Sequence, residues 1–195
     1  MKLFKKINKG LILTAIVLVI LITYIVTLEI QRNKEKGVIK EACEAYIEFE
    51  SKYTLLPKEY QSFTNKISQE KLEEYKKEVS KELKKLMVDD ENVYKLQKSI
   101  VEGKIDEQTE SFIINTSKNC KLVKISKYEF ENDQVTVTID DLVETEYILA
   151  DNSDGINENV NKKTDKTEDT ITLKRENGKW KVVFAEVGNT ISGMF

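Results

Sequence analysis

The sequence predicts an α+β domain behind a single membrane-spanning helix: an amino-terminal transmembrane segment, then helices packed on a bent antiparallel sheet. Three observations carry this. An uncharged apolar run lies near the amino end, apolar residues recur at helical spacing as far as about Gly103, and after Gly103 the period changes from 3.6 to 2.

The apolar run is Gly10–Leu28, GLILTAIVLVILITYIVTL, nineteen positions without a charge. At about 1.5 Å per residue such a helix spans roughly 28 Å, enough to cross a bilayer. The leader MKLFKKINK is basic, so a cleaved signal peptide is the competing reading. Cleavage needs small side chains near the end of the run, whereas Ala15 lies deep inside it and no lipobox cysteine follows. Lys2, Lys5, Lys6 and Lys9 before the span are matched in number by Arg32, Lys34, Lys36 and Lys40 after it. The density of the short leader places the amino end in the cytoplasm. The expected organisation is a cytoplasmic tail 1–9, a transmembrane helix 10–28 embedded in the lipid bilayer, a membrane-proximal segment 29–37, an extracytoplasmic domain 38–187 and a tail 188–195.

From Val38, the residues Ile39, Ala42, Cys43, Tyr46, Phe49 and Tyr53 recur at helical spacing and predict an amphipathic helix. It is expected to run nearly unbroken from the membrane span, with Gly37 its one weak point, and to end before Pro57, the sole proline. A second helix is marked by Leu72, Tyr75, Val79, Leu83 and Leu86, with Ser68 as its cap. On its other face Glu74–Lys77, Glu78–Lys81 and Glu82–Lys85 form a comb of i,i+3 pairs that reads as a solvated surface. Asp89, Asp90 and Glu91 suggest a divalent cation less than they suggest the cap of a short third helix carrying Val93, Leu96, Ile100 and Val101, stopped by Gly103.

Five segments then read as strands: 121–130, 135–139, 143–149, 170–173 and 180–184. Glu131, Asn132 and Asp133 make the first turn. Asn177-Gly178 is a hairpin signal, because both central residues of a type I′ turn need positive φ. Val135, Val137 and Ile139 share a face, and the alternation resumes out of phase at Leu142, which predicts a bulge at Asp140 and Asp141 and a bent strand. Asp151 to Asp169, DNSDGINENVNKKTDKTED, has only Ile156 and Val160 as apolar residues and reads as a loop. Asp151, Asp154 and Glu158 around Gly155 invite calcium. A hand-type loop, however, needs its first ligand where Ala150 stands.

Composition excludes several chemistries. The chain has no histidine, which removes Ser-His-Asp triads, Cys-His dyads, histidine metal sites and imidazole pH sensing. It carries 31 Lys plus Arg against 34 Asp plus Glu, and four of the lysines precede residue 29, so the remainder is acidic and disfavours nucleic acid as a partner. Two cysteines cannot build a structural zinc site. An outside location would let Cys43 and Cys120 pair, although two isolated buried thiols fit the spacing equally.

Helices first, then a bent meander ending in a strand, an Asn-Gly turn and a Trp-bearing strand, Asp169-Thr-Ile-Thr-Leu-Lys-Arg-Glu-Asn-Gly-Lys-Trp-Lys-Val-Val-Phe184, resembles the nuclear transport factor 2-like superfamily (SnoaL/cystatin-like rolls). The resemblance covers about residues 35 to 187 by order of elements and implies a cone-shaped roll. Membrane-anchored members of this kind resemble small exported or surface proteins of Gram-positive bacteria, or the assembly factors of type IV secretion and conjugation machines. The resemblance therefore implies a non-catalytic module that binds or assembles with a protein partner or small ligand, with no cofactor and no metal. In such a cone Trp180, Val182, Phe184 and Tyr147 are the candidate pocket lining, though a Trp in that place commonly anchors the core. Enzymatic members, such as SnoaL-type cyclases and steroid isomerases, hold an acid–base group within the cone. Here that role would fall to Asp140, Asp141, Glu144 or Glu146, with Tyr147 as proton donor.

Overall fold

The structure, a computed structural model, describes residues 9–61, 67–111, 113–149 and 159–187. Its contacts divide the chain into two units, 1–39 and 40–195, which are taken in turn. The fold class is α+β, as the sequence predicts.

In the first unit, helix α1 (Lys9–Tyr53) begins; it continues into the second without interruption at Gly37. The segment from Gly10 is long and apolar enough to cross a membrane, with a mean hydropathy of 2.9 in its most apolar stretch, none of it buried by protein. The hydroxyls of Thr14, Thr23 and Thr27 donate back to the carbonyls of Gly10, Val19 and Thr23 at 3.0, 2.8 and 2.8 Å. Polar groups satisfied within their own helix are what a hydrocarbon environment requires.

In the second unit, α1 buries Cys43, Tyr46, Ile47 and Phe49 and ends at Tyr53, ahead of Pro57. Pro57 opens a single 3-10 turn, Lys58–Tyr60. Helix α2 (Gln69–Leu86) starts on Ser68, whose Oγ accepts from the Lys71 amide, and buries Leu72, Val79 and Leu83. Of the three pairs expected on its outer face, Glu82–Lys85 closes, at 2.5 Å. Lys76, outside those pairs, reaches Asp106 of the next helix at 2.6 Å and Glu73 of its own at 3.7 Å.

Helix α3 (Glu91–Thr109) starts on Asp90, whose Oδ1 accepts from the amides of Asn92 and Val93 at 2.9 and 3.2 Å. Asp90→Ala is expected to cost about 1 kcal/mol of stability. Asp89→Ala should cost less, and paired urea titrations would check the difference. Two expectations are corrected here. Gly103 does not stop this helix, because the buried face Gln97, Val101, Ile105 and Gln108 repeats across it, and packing on α2, β1 and β4 outweighs the glycine's poor propensity. Leu96 is not on that face and is 58% exposed.

Four antiparallel strands follow in the order β1 (Ile113–Glu131), β2 (Gln134–Leu149), β3 (Asn161–Glu176) and β4 (Lys179–Glu186). Asn132, Asn177 and Gly178 have φ of 54°, 51° and 78°, so the Asn-Gly turn has the positive pair that a type I′ hairpin requires. The predicted segments 135–139 and 143–149 are one strand. Val135, Val137, Ile139, Asp141, Val143 and Thr145 form an unbroken buried row, and pairing with β3 runs without a shift from Gln134–Lys174 to Tyr147–Asn161. The irregularities lie in β1 instead, where Thr116, Val123 and Ser126 are extra residues; Val123 falls opposite Asp140 and Asp141. The alternation predicts the place of the bulge and misassigns its strand, because Asp141 holds an inward position that was expected of an apolar residue.

The polar stretch after Asp151 is likewise not wholly a loop. Residues 161–169 belong to β3, held by the β2 ladder and by charge matching such as Lys162–Glu146, which face each other in register at 2.5 Å. The calcium loop considered for residues 150–158 lies outside the described residues.

At the β1 edge, side chains stand in for a missing neighbour strand. Gln61 accepts from the Asn115 amide at 2.7 Å and donates to its carbonyl at 2.8 Å, and the Ser51 hydroxyl does the same for Cys120 at 2.7 and 3.3 Å. Edge groups satisfied in this way are unavailable to another chain.

Candidate functional site: a buried polar cluster

Tyr46 and Glu50 stand four residues apart on one face of α1, and Thr54 follows directly after its end; Gln97, Lys104 and Gln108 stand on one face of α3; Lys118 projects from β1. Their meeting point is buried: Glu50 is 0% exposed and the Lys118 side chain 4%. Glu50 Oε1 accepts from Lys104 Nζ at 3.1 Å and from the Tyr46 hydroxyl at 3.2 Å. Oε2 accepts from Lys104 at 3.2 Å and from Lys118 at 3.5 Å.

The amides complete the network. Gln97 donates to the Tyr46 hydroxyl at 2.7 Å and to the Ala185 carbonyl at 2.8 Å, and accepts from the Ala185 amide at 3.2 Å. Gln108 accepts from the Leu56 amide at 3.0 Å and donates to the carbonyls of Thr54 and Lys104, both at 2.8 Å. Lys104 also reaches the Val187 carbonyl at 2.7 Å, and Lys118 the Thr54 hydroxyl at 2.9 Å. Burial, followed by the nearby Glu50 charge, pushes the Tyr46 hydroxyl well above its ordinary pKa, so it acts as a fixed donor.

Beside the two ammonium groups lies a cavity of about 10 Å³. It is lined by Thr54, Leu55, Lys104, Gln108, Asn115 and Lys118. That is the room one water or a guest of similar size needs.

A second polar locus sits in the sheet. Asp141 is 1% exposed, and its Oδ1 accepts from the Thr167 hydroxyl at 2.6 Å, while Oδ2 has no partner among the described residues. Thr167 also lies 3.3 Å from Asp169 Oδ2, and one hydroxyl proton cannot serve both carboxylates. Burial first, with the Asp169 charge adding to it against the Thr167 hydrogen bond, raises Asp141 from 3.8 to about 6.

The residues singled out from the sequence fall in different places. Trp180 and Val182 are buried in the core of β4, but an irregularity between Thr172 and Leu173 turns Phe184 off their face and puts Ala185 inward. The expected row Trp180, Val182, Phe184 is therefore corrected to Trp180, Val182, Ala185. Tyr147 pairs with Asn161 and Trp180 with Arg175, at opposite ends of β3, so the fold does not bring them together. Asp140, Glu144 and Glu146 face outward and pair with Lys124, Lys121 and Lys162 at 3.1, 2.9 and 2.5 Å. Of the four carboxylates only Asp141 points in. Cys43 and Cys120 are buried free thiols, not a disulfide. Desolvation, with Glu44 adding to it, pushes Cys43 up to about 12.

Sequence reasoning missed Glu50, Gln97, Lys104, Gln108 and Lys118. A signal existed for three of them: Glu50 falls four residues after Tyr46 and three before Tyr53, inside the apolar stripe; Gln97 lies between Val93 and Val101; and Gln108 lies seven after Val101. A polar residue at an apolar position marks a buried network. Comparison with protein-family models, with curated proteins and with solved structures finds no match.

Proposed function

We propose that the chain is a single-pass membrane protein, amino end in the cytoplasm, whose α+β domain lies outside as a non-catalytic module for binding or assembly. The observation that carries the reading is the uncharged segment Gly10–Leu28, whose most apolar stretch is not buried by any of the described residues and whose only hydroxyls other than Tyr24 are bonded within the helix. An isolated helix of this kind has lipid as its natural solvent. The order of helices and strands supports the likeness to nuclear transport factor 2-like rolls, where non-catalytic membrane-tethered members serve as scaffolds.

The binding reading is preferred over an acid–base enzyme because Asp141, the one inward carboxylate of those considered, is 1% exposed and leaves no approach for a substrate to Oδ2. A scaffold of a type IV secretion machine is the narrower form of the same proposal. The expected result is that the full chain stays in the membrane pellet through an alkaline carbonate wash. In intact cells stripped of their wall, added protease should remove an epitope at the carboxyl end while one at the amino end survives. Release by carbonate, or protection of the carboxyl-terminal epitope, overturns the proposal.

A further inference from the structure

Charge in the α1–α3–β1 cluster does not balance. Among the described residues Glu50 is the one carboxylate touching either Lys104 or Lys118, so two largely buried ammonium groups share a single negative charge. The sharing is unequal. Lys104 holds both oxygens at 3.1 and 3.2 Å, whereas Lys118 stands 3.5 Å from Oε2, at the limit of a hydrogen bond, and has only the neutral Thr54 hydroxyl close by at 2.9 Å. An ammonium has three N–H donors, and Lys118 uses two at most. A buried charge left without a counter-charge is costly.

The cavity of about 10 Å³ opens beside this ammonium and is lined in part by Asn115, whose backbone N–H and C=O are taken by Gln61 and whose carboxamide makes no hydrogen bond among the described residues. We propose that this cavity takes one small monovalent anion of halide size, held by the remaining N–H of Lys118 with the Asn115 carboxamide as a further donor, while Lys104, whose three N–H groups go to Glu50 and Val187, contributes its charge alone. A single negative charge balances the cluster, and the small cavity restricts a guest to one not far above the size of a water. Larger anions such as sulfate exceed the space. The inference extends the binding role proposed above by naming a guest, yet its test does not depend on membrane orientation.

Full-length chain in a non-ionic detergent is unfolded thermally at constant ionic strength in sodium chloride, bromide, gluconate or sulfate, with the buried Trp180 as reporter. The expected result is a transition midpoint at least about 2 °C higher in the two halides than in gluconate. The halide increment should vanish in Lys118→Met and grow in Glu50→Gln, which raises the unbalanced charge from one to two. Equal midpoints in halide and gluconate, or a halide increment that Lys118→Met retains, overturns the proposal. If Lys118→Met fails to fold, broadening of the chloride-35 resonance by the intact chain, relieved by bromide but not gluconate, supports the site, and its absence overturns it. The carbonate wash reports on the membrane reading alone, so either proposal can fail without the other.

Discussion

Glu50→Ala is expected to destabilise the domain by about 3–5 kcal/mol, the range seen when one partner of a buried ion pair is removed. The size follows from what remains. Lys104 and Lys118 lose the one carboxylate that touches them among the described residues, the Tyr46 hydroxyl loses its acceptor, and little solvent reaches them, since Glu50 is fully buried and the side chains of Lys118 and Lys104 are 4% and 15% exposed. Against a typical total of about 5–15 kcal/mol, the loss takes a large part of the folding free energy. Urea unfolding of the full chain in detergent, followed through the single tryptophan, measures it. The double variant Glu50→Ala/Lys118→Met should recover part of the loss, because it removes the worse placed of the two stranded ammonium groups. A loss below about 1 kcal/mol would mean that the cluster is solvated and that the pair behaves like an exposed one.

That cluster also shows where sequence reading succeeds and fails. Periodicity located α1 and α2, the start of α3 and the β-rich second half, because apolar rows at period 3.6 or 2 reflect burial directly. Ser68, Asp90 and Asn177-Gly178 were legible because capping and positive φ are local demands met by particular side chains. Two kinds of feature were not legible. Residues 161–169 pair with β2 through backbone bonds and cross-strand charges, and a strand stabilised in that way has no apolar signature in its own sequence. Lys104 and Lys118 are buried because Glu50 is there to receive them, and that meeting of three elements is long range. Asp141 combines both difficulties: its place in the apolar row of β2 mimicked a change of phase, and the partner that explains it, Thr167, lay in a segment read as loop.

Asp141→Asn is expected to stabilise the protein by about 2–3 kcal/mol above pH 6, from a shift of about two units at 1.36 kcal/mol each. The sign follows from proton linkage. In the unfolded chain Asp141 titrates near 3.8, and in the folded domain at about 6, so between these values the folded state binds more protons and stability falls as pH rises. Below about pH 3.8 the carboxyl is protonated in both states and carries no penalty; above about 6 the full cost of a buried, half-partnered carboxylate beside Asp169 is in force. Asparagine keeps an oxygen to accept from Thr167, and it has no charge to desolvate. The gain over the wild type should therefore shrink steadily as pH is lowered from 6.5 to 4. Urea midpoints of the two proteins across that window give the curve. A difference independent of pH, or a loss of stability in the variant at neutrality, would show that a positive group or ion already compensates Asp141 in the folded protein.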